Sequence, residues 1–206
     1  MARTADPSVR TALIEAAARR LATDGLDGLS LRKVATDVGA STQAVYTHFG
    51  SKDDLVRAVV VEAFTRLETE IRSVPITHDP LVDLAGASVA YRRNALANAH
   101  LYRVMFSLNP LALTDPARHE ISGSDDDSVE IGLGAFQAMV EQSARCVEAG
   151  VLVGEPAQLA LQIWATAHGV VSLELAGFLG AEAEADVVYE AATGAMFAGL
   201  MARSPT

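Results

Sequence analysis

The residues best placed to do chemistry lie between Ser41 and Lys52, in the stretch STQAVYTHFGSK. Thr42, Gln43, Tyr46, Thr47, His48 and Lys52 bring hydroxyl, amide, imidazole and ammonium groups together, and only Ala44, Val45 and Phe49 are available to anchor the segment to a core. Groups of this kind suit hydrogen bonds to a polar partner. Thr and Gln near the start of a helix can reach donors and acceptors on base edges in a major groove. Tyr46, His48 and Lys52 carry donors suited to phosphate oxygens, and the exposed amides of helix starts at Ser30, Ser41 and Ser51 favour anions. The plainer alternative is an ordinary solvated helix between two loops.

Other chemistries find no matching constellation. An enzyme needs a nucleophile beside a base, paired carboxylates or a metal set, and none stands out. The sequence has no Glu-x-x-His pair, no His-x-x-x-His pair and no cysteine cluster, so neither metal nor cofactor is expected. The acidic run Asp125–Asp127 reads as a solvated loop leading into a helix cap. The single cysteine, Cys146, excludes an intramolecular disulfide and reads as a small buried apolar side chain.

The elements that position these residues follow from composition and periodicity. The chain has 206 residues, is 50% hydrophobic and 5% aromatic, and is rich in alanine, which suits closely packed helices. The N-terminus lacks the apolar core of a secretory signal, and no apolar run reaches the length of a membrane span. A soluble cytoplasmic protein without membrane contact is therefore expected. The net charge of −10 is unevenly spread. Residues 1–52 carry seven Lys/Arg against five acids, whereas residues 53–206 carry nine against 21. A slightly basic module joined to an acidic body fits a polyanion-binding head.

Asp6-Pro7 reads as an N-cap with proline at the first helical position, and Ile14, Ala17, Ala18 and Leu21 form the buried stripe of a helix that Gly25 ends. Ser30 caps a second helix with Leu31, Val34, Ala35 and Val38 inward, its hydroxyl serving although Lys33 replaces the acid of a full capping box. Gly39-Ala40 makes a tight turn, and Ser41 caps a short third helix. Ser51-Lys-Asp-Asp54 is a complete capping-box pattern for a fourth helix, running towards Ser73. Two short helices about a glycine turn, the second presenting polar side chains, make a helix-turn-helix.

The stretch LSLRKVATDVGASTQAVYTHFGSKDDL, Leu29 to Leu55, closely resembles the DNA-binding signature of TetR-family transcriptional regulators. The resemblance rests on Val34-Ala35, on Gly39-Ala40-Ser41 at the turn, and on Tyr46-Thr47-His48-Phe49-Gly50-Ser51-Lys52. It implies that Tyr46, His48 and Lys52 hold the DNA backbone, with Lys33 a further candidate. It also implies that Arg32, Thr42, Gln43, Ala44 and Thr47 face bases or neighbouring phosphates of a pseudo-palindromic, double-stranded operator.

The rest of the chain reads as further helices. One opens at Pro80 and runs through NALANA, and HLYRVMFSL continues up to Asn109-Pro110. A Pro/Gly/Ser/Asp-rich stretch reads largely as loop, followed by helices over 129–150, from Pro156 to about Gly180, and from Ala185 onwards. Ala165, Gly169, Ser172, Ala176 and Gly180 form a stripe of small residues, and Ala191, Ala195 and Ala198 offer a second. Such stripes suit a homodimer built as a four-helix bundle; the alternative is packing within the chain. Trp164, His168 and Gly169, with Asn94 to Phe106, resemble a TetR subgroup marked by a Trp-His-Gly signature, although position 99 is Ala. That likeness implies an effector domain. Its candidate lining residues are Tyr91, Tyr102, Met105, Phe106, Phe136, Met139, Trp164 and His168, for a moderately apolar small molecule. A lone histidine beside tryptophan is more often a structural hydrogen bonder than a ligand contact.

The expectation is an all-α protein with a three-helix DNA-binding domain over residues 1–50 and a helical effector-binding and dimerisation domain over 51–206. It is a regulator, a repressor first of all, released from operator DNA by a small-molecule effector. A helical activator, or a small-molecule-binding adaptor without repressor activity, is the alternative.

Overall fold

A computed structural model of the chain describes residues 6–107 and 127–201. Among these residues it is all-α, with helices α1 (Pro7–Gly28), α2 (Leu31–Asp37), α3 (Thr42–Phe49), α4 (Lys52–Arg72), α5 (Pro80–Ala97), α6 (Ala99–Ser107), α7 (Asp127–Glu148), α8 (Pro156–Leu175) and α9 (Glu182–Leu200). No helix among the described residues is long and apolar enough to cross a membrane. The helices form two compact units, residues 1–65 with 98–132 and residues 66–97 with 133–206. Asp125 and Asp126, expected to cap α7, and most of the expected loop lie outside the described residues.

The first unit is built on local signals. Asp6 accepts the Ser8 N–H at 2.9 Å ahead of Pro7 and starts α1. Gly25 interrupts α1 with a left-handed φ of 70°, where glycine carries no steric cost, and one short helical turn follows before Leu29. Leu13, Ile14, Ala17, Ala18 and Leu21 of α1 are buried, as are Val34 and Ala35 of α2, Val45 and Phe49 of α3, and Leu55, Val56, Val59 and Val60 of α4. Helix α6 packs on α1 and buries Leu101, Tyr102, Val104 and Met105. One expectation fails here. Ser30 sits at the N-cap of α2 but its hydroxyl takes no cap hydrogen bond; its carbonyl accepts the Val34 N–H at 3.0 Å as the helix begins.

The second unit packs α8 against both α5 and α9. Most of its polar interior is paired, the buried Ser143 hydroxyl being an exception. Asp83, 1% exposed, accepts from the Thr77 amide at 2.9 Å, the Thr77 hydroxyl at 2.6 Å and Arg145 at 2.7 Å. Arg92 holds Glu174 through two bonds of 2.8 and 2.7 Å and reaches Asp186 at 2.6 Å. Its guanidinium also lies over the Tyr189 ring, and Tyr189 donates to the Ser88 carbonyl at 2.6 Å. These contacts fix α5 to α8 and α9. Cys146 is buried as expected; its thiol donates to the Pro80 carbonyl, and burial pushes its pKa up to about 11. Helix α8, capped by the Glu155 carboxylate, ends at Leu175, earlier than its apolar pattern suggests. Gly177 and Gly180 have φ of 81° and 75° and turn the chain towards α9. Gly180 therefore belongs to that turn, and an added Cβ there would collide with the Glu184 carboxylate.

Candidate nucleic-acid interface and ligand cavity

Helix α3 is amphipathic over barely two turns. Val45 and Phe49 fix it to the core, 0% and 9% exposed, so Gln43, Tyr46 and Thr47 must face outward, and they are exposed. Thr42, Ala44 and His48 are half-buried at its edges. The helix start is held by Ser41, whose hydroxyl accepts the Ala44 N–H at 3.2 Å, and its end by Gly50, whose N–H reaches the Tyr46 carbonyl at 2.9 Å. Thr47 donates its hydroxyl proton to the Gln43 carbonyl at 2.9 Å, so what it offers outward is a methyl group and oxygen lone pairs.

The neighbouring elements hold this face at a fixed angle. Arg20 of α1 grips Asp37 at the end of α2 through two hydrogen bonds of 2.6 and 2.7 Å. That pairing lowers the Asp37 pKa and raises that of Arg20. Arg10 of α1 stacks its guanidinium on the Phe49 ring at 5.3 Å. Arg32 and Lys33 are exposed on α2. The Ser51 hydroxyl accepts the Asp54 N–H at 3.0 Å and hydrogen-bonds the Asp54 carboxylate at 2.5 Å, which closes the cap of α4 with Lys52 on its first turn. The expected DNA-facing residues thus lie on the outer sides of α2 and α3 and at the start of α4. Sequence reasoning missed Arg10, Arg20 and Asp37, because both pairings join residues far apart along the chain.

The second unit contains a small cavity lined by Leu67, Ile71, Tyr91, Ala135, Phe136, Met139 and Trp164, with about 10 Å³ of free space. Four of the expected effector residues meet there: Tyr91, Phe136, Met139 and Trp164. Trp164 donates its indole N–H to the Tyr91 hydroxyl at 3.0 Å, and that hydroxyl lies 3.2 Å from His168 Nδ1. His168 Nε2 is 3.4 Å from the Ser172 hydroxyl. Burial lowers the His168 pKa, which favours the neutral ring, and the ring sits between the Tyr91 and Ser172 hydroxyls. His168 therefore stands behind the cavity wall as a hydrogen bonder. Tyr102, Met105 and Phe106 do not line this cavity. Tyr102 and Met105 are buried in the first unit, and Phe106, 39% exposed, packs its ring 5.0 Å from that of Tyr102. Leu67, Ile71 and Ala135 were not foreseen, although Leu67 and Ile71 repeat at i, i+4 on α4.

The small-residue stripes lie open. Ala165, Gly169, Ala176, Ala191, Ala195 and Ala198 are exposed and Ser172 is half-buried. A Cβ added at Gly169, Gly194 or Gly199 would meet no atom within 4 Å. Beside them on α8 and α9, Leu161, Leu173, Val187 and Val188 are 58%, 47%, 66% and 39% exposed. Among the described residues, no helix covers this face.

Comparison with known proteins agrees with both halves of this description. Residues 13–59 match the model of bacterial regulatory proteins of the tetR family, and residues 84–196 match that of the tetracyclin repressor-like C-terminal domain. The chain is 27% identical over 181 residues to the uncharacterized HTH-type transcriptional regulator Rv0681 of Mycobacterium tuberculosis, covering 87% of this chain and 76% of that protein. It is 36% identical over 83 residues, 40% of each chain, to the HTH-type nicotine-responsive transcriptional repressor HdnoR of Paenarthrobacter nicotinovorans. A solved protein of unknown function from Rhodococcus sp. RHA1 superposes with a TM-score of 0.74 at 28% identity, covering 98% of this chain and 100% of that one. The fold also matches the TetR family transcriptional regulator PfmR of Thermus thermophilus, with a TM-score of 0.70 at 19% identity over 90% and 97% of the two chains. With an N-terminal helix-turn-helix and a helical C-terminal domain both matched, the chain belongs to the TetR family of bacterial transcriptional regulators.

Proposed function

We propose that this chain is a repressor that binds pseudo-palindromic operator DNA as a homodimer and is released by a small-molecule effector. The observation that carries the DNA reading is the outer face of α3, where Gln43, Tyr46 and Thr47 project from a helix pinned by Val45 and Phe49. Gln43 and Thr47, with Thr42, Ala44 and Arg32 at the margins, supply base-edge contacts; Tyr46, His48, Lys52 and Lys33 supply phosphate contacts, and the amides at Ser30, Ser41 and Ser51 add to them. The dimer joins the exposed faces of α8 and α9 through Ala165, Gly169, Ser172, Ala176, Ala191, Ala195 and Ala198, where small side chains allow close helix approach. The C-terminal domain is of the Trp-His-Gly type, with Trp164 and His168 set around the Tyr91 hydroxyl.

Release is a population shift. A ligand that fits only an opened cavity favours a conformation whose two α3 helices no longer match successive major grooves, about 34 Å apart. The test is a gel shift with DNA from upstream of the chain's own coding sequence, across a range of salt concentrations. Retardation that weakens steeply with salt supports the reading, and its absence at low salt overturns it. Thermal-shift screening, with hits re-tested for operator release, then identifies the effector.

A further inference from the structure

Resting on the reading of this cavity as the effector site, we propose that its ligand is a small, flat, uncharged aromatic molecule lodging against the Trp164 and Phe136 rings. The described wall consists of three aromatic side chains (Tyr91, Phe136 and Trp164) and four aliphatic or thioether ones (Leu67, Ile71, Ala135 and Met139). None of these seven side chains carries a charge. An ion entering here would shed its hydration without meeting a counter-charge on this wall, which disfavours charged ligands strongly.

The hydrogen-bonding groups of the wall point to the same class. The Tyr91 hydroxyl and the Trp164 indole N–H are bonded to each other at 3.0 Å, and the hydroxyl also meets His168 at 3.2 Å. A ligand amide or hydroxyl would have to compete with or share that arrangement, which lowers its gain. A carbon ring leaves it intact. The Phe136 and Trp164 centroids stand 5.6 Å apart at 33°, and a third ring against either can adopt the offset or edge-on geometries that aromatic pairs prefer.

Size decides how the ligand enters. About 10 Å³ of free space holds at most one water molecule, so occupancy requires side chains to move. Met139 is unbranched and turns about three torsions without disturbing its helix. Phe136 is only half-buried, so its ring can swing outward. Binding is thus coupled to a rearrangement of side chains on α7 against α8.

Trp164 is the only tryptophan of the chain, so its fluorescence reports on this wall alone. The full-length protein is titrated with toluene, methylcyclohexane, benzoate and tetramethylammonium, each followed by Trp164 emission and by calorimetry. Toluene should give a saturable change, and the other three should bind about tenfold more weakly or not at all, a gap well above the scatter of such titrations. Ala135→Phe fills the space from its own wall and should abolish the toluene response. Tyr91→Phe keeps the ring, and its toluene affinity should stay within about threefold of the parent, because the hydroxyl faces Trp164 and His168 rather than the ligand. Benzoate binding as tightly as toluene overturns the charge argument, and methylcyclohexane doing so overturns the aromatic one. Tetramethylammonium binding alone would make the three rings a cage for cations. No response to any probe makes the cavity a filled core. A gel shift on the parent protein separates this inference from the regulator reading: operator binding without a toluene response sinks the ligand class alone, and a toluene response without operator binding sinks the regulator alone.

Discussion

Lys52→Ala separates the DNA reading from a purely structural role for the start of α4. Lys52 occupies the first position of α4, half-buried, directly after the Ser51 cap. A cation at a helix N-terminus opposes the helix dipole, so in the free protein this residue costs about 0.3–1 kcal/mol rather than adding stability. The residue makes sense if the charge serves a bound anion. Replacing it should leave thermal stability unchanged or raised by up to about 1 kcal/mol, while weakening DNA binding. A dimer loses two phosphate contacts, so the slope of log K against log salt should become shallower by about 1.8. Between roughly 50 and 200 mM salt, the affinity gap between parent and variant should then narrow about tenfold. Fluorescence anisotropy with a labelled operator and a non-specific duplex measures both slopes, and the change should be the same on both DNAs. Gln43→Ala, by contrast, should change the ratio of the two affinities, since that side chain is assigned to base edges. A Lys52→Ala protein with the parent's affinity at every salt concentration, or with a markedly lower melting temperature, would refute the assignment.

Gly169→Leu should weaken the dimer by about 1–3 kcal/mol at each of two symmetry-related contacts, read as a rise in the dissociation constant by sedimentation equilibrium. An added Cβ there meets no neighbour within 4 Å in the isolated chain, so an unchanged dimer would place the interface elsewhere. Glu174→Ala leaves Arg92, whose side chain is 14% exposed, with Asp186 and the Tyr189 ring, and should cost about 1.5–3 kcal/mol in urea unfolding; a loss well under 1 kcal/mol would show that the pair contributes little. His168 has a pKa lowered by burial, so the unfolded chain takes up its proton first. Its stabilising contribution is complete above the ordinary histidine value near 6.5 and is lost as pH falls through the lower folded value. His168→Gln should flatten that part of the stability profile, and an unchanged profile would assign the slope to other groups.

Much of the DNA-binding half was legible because its signals are local. Asp6-Pro7, Ser41, Gly39 and the Ser51–Asp54 pattern each act within four residues; the structure realises the first three, and in the last the Asp54 N–H and carboxylate both meet the Ser51 hydroxyl. Ser30 is the exception: residue type marked the cap position, but not the orientation of the hydroxyl. The cavity was half legible for the opposite reason. Residue type brought out its aromatics, but membership depends on which distant helices pack together. Tyr102 and Phe106 follow Tyr91 closely in sequence, yet the break after Ala97 puts them on α6 in the other unit, while Leu67 and Ile71 arrive from α4. Gly180 continued the small-residue stripe on paper, but it is a turn residue, because α8 stops at Leu175 and the left-handed glycines that follow redirect the chain.

One helix carries both halves of the proposed switch. Trp164 and His168 of α8 point to the cavity side, and Ala165, Gly169 and Ser172 lie on the exposed side of the same two turns. Hydrogen bonds link Trp164 to Tyr91, Tyr91 to His168 and His168 to Ser172, and they run along one face of α8 to Ser172 at the edge of its exposed side. A ligand lodged against the Trp164 ring therefore shifts these bonded side chains together, and with them the setting of Ser172 among residues proposed to touch the second subunit. An exposed face of alanine and glycine suits this role, because small side chains in close contact register shifts that long, flexible ones would absorb. Arg92 limits the movement, since its bonds to Glu174 and Asp186 tie the last turn of α8 and the start of α9 to α5. On this reading, α8 responds to ligand by a small rotation about that anchored end, and the displacement is greatest towards Pro156.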